Sequence, residues 1–280
     1  DVDTVSSGLI TAATDTITVN STLTLEAAGD ITLSDNVLAG TGVYFSNDSL
    51  DFSNGTIATG ATYIQNTGTF QTGASGMVNN GLIEFAAGFG GATIGSAPGI
   101  SGTGTVDNLG TLTLGDSIIN QTKFVNQGQL IANGTGSSIG APTATNLAGG
   151  TITVDGVNDE LTFSLSGGTL NNSGVINVAN SGFFQVANGV LDNNADINVG
   201  IGSTFQTSAA GVGLQNDGNF ITDSLLTFNF DGGVSTNAGT LVLNNTSTFD
   251  FRVSGGKLEN SGRIDINNGG EGLNVNATGG

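Results

Sequence analysis

The 280 residues carry 23 Asp and Glu against 4 Lys and Arg, a formal charge of −19, with 47 Gly, 2 Pro and no Cys, His or Trp. Without Cys or His there is no zinc finger, thiolate cluster, haem ligand or His-assisted nucleophile, and so few cations cannot neutralise a phosphate backbone, which excludes a nucleic-acid partner. Hydrophobic residues at 37% argue against an acidic disordered tail, and no run reaches the ~18 apolar residues of a membrane-spanning helix, so no membrane insertion is expected.

Along residues 1–60 the pattern is short alternation: Ile17-Thr-Val19, Leu23-Thr-Leu25, Ile31-Thr-Leu33, then Val43-Tyr-Phe45 and Leu50-Asp-Phe52. Alternation of period two sends successive side chains to opposite faces of a strand. This stretch has no clean corner signature and is read as irregular leading coils or an N-terminal cap or strand. Residues 61–280 are read as the regular part.

From residue 77 a unit of the form apolar-x-Asn-x-Gly-x-apolar-x-apolar appears. It reads Met77-Asn79-Gly81-Ile83-Phe85, Val106-Asn108-Gly110-Leu112-Leu114, Leu170-Asn172-Gly174-Ile176-Val178 and Leu258-Asn260-Gly262-Ile264-Ile266. Looser copies centre on Asn66, Asn126, Asn146, Asn193, Asn216 and Asn237. From Asn172 the marked Asn recurs in steps of 21, 23, 21 and 23, whereas Asn66, Asn79 and Asn108 are separated by 13 and 29. Gly and Asn tolerate the positive φ of tight corners, and a period near 22 with two or three short strands is the coil of a solenoid. The fold expected is therefore all-β, a parallel β-solenoid of roughly a dozen coils of about 22 residues. The marked Asn should stack along one corner, the apolar rows should face inward, and Phe184, Phe205, Phe228 and Phe249 should form an aromatic row. The stretches 86–104 and 133–150, which hold Pro98 and Pro142, are rich in Gly, Ala and Ser and read as inserts at coil corners.

The repeated segments Leu170-Asn-Asn-Ser-Gly-Val-Ile-Asn-Val178 and Leu258-Glu-Asn-Ser-Gly-Arg-Ile-Asp-Ile266 resemble the β-solenoid passenger regions of secreted bacterial exoproteins, the autotransporter and filamentous-haemagglutinin-like adhesins. The resemblance covers roughly residues 60–270. It implies an exported structural or adhesive fibre and carries over no binding residue; no translocator barrel or secretion domain is recognisable. Scarce Lys and abundant Asn, Thr, Ser and Gly likewise suit a secreted, extracellular or cell-surface protein.

Carboxylates are the remaining source of chemistry. Asp192 and Asp196 flank a marked Asn, with Asp217 and Asp223 about a coil further on, which leaves a polysaccharide-active β-helix enzyme as a second alternative, although one acting on acidic glycans would also need cations and these are nearly absent before residue 252. Asp155, Asp159 and Glu160 are the calcium candidates, since oxygen ligands in a loop suit that ion. Gly269-Gly-Glu-Gly-Leu-Asn-Val275 matches a calcium β-roll nonapeptide once, with Asn274 in place of the ligand Asp. No other cofactor is expected. Arg252, Lys257 and Arg263 fall in the last full repeat, while Asp1, Asp3 and Asp15 open the chain. This asymmetry points to head-to-tail self-association into a filament, with glycans or a cell surface as the partners of the alternative reading, an adhesion module.

Overall fold

A computed structural model of the chain describes residues 4–6, 10–11, 16–18, 22–27, 31–33, 35–47, 49–65, 70–72, 76–85, 92–94, 99–209, 213–223, 225–230, 234–244, 249–254, 257–267 and 273–278. Among them there is no helix. Each strand pairs in parallel with strands one coil away, so the fold is a β-solenoid. About nine regular turns of roughly 21 residues are present, and the dozen expected from the spacing is slightly more. Each coil passes through three short strands, which we call its first, second and third faces. The chain divides into two compact units, Asp1–Ile131 and Ala132–Gly280.

In the second unit the first face stacks Thr143–Asn146, Thr169–Asn172, Val190–Asn193, Leu214–Asn216, Val234–Asn237 and Lys257–Asn260. The second face stacks Thr151–Val154, Val175–Val178, Asp196–Val199, Asn219–Thr222, Thr240–Asn244 and Arg263–Asn267. The third runs from Ser137–Gly140 through Glu160–Ser164, Phe183–Ala187 and Thr204–Ala209 to Leu273–Thr278. The repeated motif maps directly onto this plan. Leu170 and Asn172 point inward from the first face, Gly174 turns the corner, and Ile176 and Val178 point inward from the second. Polar residues at alternate positions are left half-buried on the outside, as at Asn171 and Asn177.

The rows that fill this core follow from the register. Ile152, Ile176, Ile197, Phe220 and Leu241 are stacked and buried. Phe184 and Phe205 lie nearly parallel, with ring centroids 5.0 Å apart, and Phe220 meets Phe205 edge-on at 4.9 Å. The aromatic row predicted from sequence needs correction at one member. Phe184, Phe205, Leu226 and Phe249 share a register position, whereas Phe228 aligns with Thr207 and Phe251 in the neighbouring row. The side chains of Phe228 and Phe249 lie outside the described residues. Strand periodicity keeps a two-residue offset on the same face, which is why the sequence pattern alone does not separate the two rows.

In the first unit the first face stacks Thr22–Ala27, Val43–Ser46, Thr62–Gln65, Leu82–Phe85, Thr105–Asn108 and Lys123–Asn126. The two-residue strands Ile10–Thr11, Ile31–Thr32, Leu50–Asp51 and Phe70–Gln71 form a ladder of their own, separate from the one that holds Ala92–Ile94 and Thr111–Leu114. This short ladder lies in the stretch read as irregular leading coils and runs past it to Gln71. Tyr44 and Tyr63 are fully buried here, and the amide of Ala39 donates to the Tyr44 hydroxyl at 3.0 Å.

The stretch 133–150 holds the strands Ser137–Gly140 and Thr143–Asn146, both in register with the following coil. Likewise 86–104 holds Ala92–Ile94 and Ile100–Ser101. Pro142 sits at a corner, where its carbonyl accepts from Thr169 at 3.1 Å; Pro98 lies outside the described residues.

The uneven early spacing also finds its cause. Phe85, not Asn79, stacks on Asn108, and Gln65 and Ser46 precede it in the same row. Asn79 lies instead on a third-face strand, Met77–Asn79, and turns the corner into the first face. The same Asn-x-Gly element thus serves two different corners. Counted through Ser46, Gln65, Phe85, Asn108 and Asn126, the steps become 19, 20, 23 and 18.

Candidate functional site

The most regular polar constellation is the corner between the first and second faces. In the second unit Asn146 donates through Nδ2 to Oδ1 of Asn172 at 2.7 Å. Asn172 does the same to Asn193, Asn193 to Asn216 and Asn216 to Asn237, each at 2.7 Å, and Asn237 donates to Asn260 at 2.6 Å. All but Asn260 are fully buried, so each amide is satisfied only by its neighbours and by corner backbone. The backbone supports this geometry: Ala238 N and Gly239 N both donate to Asn216 O, at 2.8 and 2.9 Å. A Cβ on Gly239 would stand 2.1 Å from Gly218 O, and one on Gly262 the same distance from Gly239 O, so the corner needs glycine for close approach of successive coils.

In the first unit the ladder is short. Asn108 donates to Asn126 at 2.8 Å, but Phe85 occupies the preceding position and supplies no donor. Asn108 Oδ1 is left buried with no hydrogen-bond partner. At the other corner Asn79 donates to Gln121 Oε1 at 3.0 Å, and its own Oδ1 accepts from Gly81 N at 3.0 Å.

The calcium candidates are not brought together. Asp155 is exposed after the strand Thr151–Val154 and accepts a hydrogen bond from Asn180. The Asp159 carboxylate lies over Gly156, while Glu160 opens the next strand and accepts from Thr162 at 3.3 Å. Among the described residues no three acidic side chains are placed to hold a metal ion. Residues 269–272 of the nonapeptide lie outside the described residues. Of the other carboxylates named from sequence, Asp192 belongs to the first face and Asp196 to the second, where Asn194 and Asn219 donate to them at 3.0 and 2.9 Å.

Two of the assembly residues are engaged within their own strands. Lys257 pairs with Glu259, and Arg263 Nε donates to Asp265 at 2.6 Å, with both cations exposed. Arg252 sits on the third face in register with Asn229 and Asn276. Asp1, Asp3 and Asp15 lie outside the described residues.

One arrangement escapes sequence reasoning. Glu84 and Asp107 are adjacent in register on the outer side of the first face. Partial burial raises the Glu84 carboxyl above its ordinary value, and the Asp107 charge raises it further. Asp107 is raised by burial too, offset by the hydrogen bond from Gln127 and the charge of Lys123. The same outer row holds Phe45, Ile64 and Val125, and the neighbouring row holds Val43 and Leu82. The signal was available in the alternation of Val43–Ser46, Thr62–Gln65 and Leu82–Phe85, whose outer positions are unusually apolar, but only the register shows that they stack. Comparison with protein families, curated proteins and solved structures finds no match for the chain.

Proposed function

We propose that this chain is an extracellular structural protein, a β-solenoid subunit that stacks head to tail into a surface or matrix filament. The observation that carries this reading is the direction of the asparagine ladder. Along this corner each amide from Asn146 to Asn237 donates to the next higher-numbered coil, whereas on the second face Asn198 and Asn267 donate to the lower-numbered one. Amides aligned this way polarise each bond in the same sense, and because the strands pair in parallel, a contact that continues the stacking must join unlike ends. Secretion is supported by the composition and by the resemblance of the repeat to exported solenoid regions.

Electron microscopy of the purified protein across a concentration series tests the assembly. Filaments that lengthen with concentration, and that shorten in number when Asn237→Leu interrupts the ladder, are the expected result. A strictly monomeric species at high concentration, with and without calcium and at low and high salt, overturns it.

A further inference from the structure

The outer side of the first face differs between the two units. In the second unit it presents Thr145, Asn171, Asp192, Gln215 and Thr236 in one row, all polar. In the first unit the corresponding row is Phe45, Ile64, Glu84, Asp107 and Val125. Phe45 and Ile64 are half-buried by their neighbours on the sheet, and Val125 is 7% exposed although it lies in the outward row. Apolar side chains thus adjoin a pair of carboxylates. Glu84 has no ion-pair partner among the described residues, and the Lys123 charge acts on Asp107.

We infer that this face of the first unit, from Val43–Ser46 to Lys123–Asn126, docks a cationic amphipathic polypeptide segment, one whose apolar side chains lie on Phe45, Ile64 and Leu82 and whose Lys or Arg side chains reach Glu84 and Asp107. Charge complementarity selects the occupant. A chain with a formal charge of −19 repels a second copy of itself across an acidic surface and repels anionic ligands, whereas a cation relieves both carboxylates at once. Dimensions agree. Five stacked strands are separated by four steps of about 4.8 Å, roughly 19 Å in all, the length of a helix of about 13 residues. One helical turn advances about 5.4 Å, close to one coil, so apolar side chains on one helix stripe meet successive coils. The inference is independent of the filament reading, because it concerns an outward face and not the coil-on-coil contact.

The test uses the full chain and a synthetic peptide of Leu and Lys in helical amphipathic pattern, with its sequence-scrambled isomer and a Leu/Glu counterpart, followed by calorimetry. Saturable binding of the patterned Lys peptide alone is expected. The pair Glu84→Gln with Asp107→Asn should weaken it by roughly tenfold or more, as should Ile64→Thr, while Asp192→Asn, on the same face of the second unit, leaves it unchanged. Equal binding of the scrambled peptide, equal loss in Asp192→Asn, or no saturation up to millimolar peptide overturns the inference. So does self-association through this face, read as a sedimentation shift abolished by Ile64→Thr. Filament formation scored in parallel separates failure here from failure of the filament reading.

Discussion

Asn193 stands between two amides, accepting from Asn172 and donating to Asn216, with its second amide hydrogen on Ala195 O at 2.9 Å. Replacing it by Ala leaves a buried donor and a buried acceptor without partners, each worth about 1–3 kcal/mol, so Asn193→Ala should lower stability by about 2–5 kcal/mol in urea titrations. Asn260→Ala, at the exposed member of the ladder, should cost under about 1 kcal/mol. Equal losses at the two sites would mean that burial does not govern the ladder. Thr207 is the converse case. It is fully buried in register between Val186 and Phe228, and its hydroxyl has no hydrogen-bond partner. Thr207→Val removes that hydroxyl at nearly constant volume and should raise stability by about 1–2 kcal/mol.

At the scale of the strand and its corner, the regular coils were legible in the sequence because one residue type marks one position. Asn172, Asn193, Asn216, Asn237 and Asn260 recur with the coil, and alternation around them assigns inside and outside. The earlier coils were not legible, for a physical reason. Ser46, Gln65 and Phe85 fill the same slot with different chemistry, while Asn79-Asn-Gly81 reproduces the corner element at another vertex. A local turn preference does not state which vertex it turns; only pairing across coils does. The acidic pair was hidden likewise, since Glu84 and Asp107 are 23 residues apart and meet only through register. The corner glycines give a sharp check on this geometry. Gly239→Ala places a methyl group on backbone oxygen, which cannot rotate away, and should destabilise more than Gly200→Ala, where the nearest atom to an added Cβ is 3.5 Å distant. Thermal unfolding of the two variants ranks them.

For the molecule as a whole, the carboxylates set how stability responds to pH. Glu84 and Asp107 have values raised above the ordinary 4.5 and 3.8, so across that window the folded chain holds more protons than the unfolded one. Stability from this pair therefore falls as pH rises from the ordinary values through the raised ones, and is regained on mild acidification. Unfolding followed from neutral pH down to the ordinary carboxylate range should show wild type gaining on the Glu84→Gln, Asp107→Asn variant. A gap that widens the other way would mean the carboxylates are ion-paired. The net charge of −19 acts in the same sense, since acidification lessens self-repulsion.

Because each ladder amide recognises a position and not a particular neighbour, the polypeptide has a natural unit of length. Excising Ser173–Asn193 joins Asn172 to Asn194 and removes one entire lap, after which Asn172 faces Asn216 as it formerly faced Asn193. Such a deletion should yield a folded product, whereas removing Asn193 alone shifts everything beyond it by one residue and turns the inward Ile197 toward water. Gene lineages built on this plan are then free to shorten or grow by whole laps, and intermediate sizes are disfavoured by the fold itself.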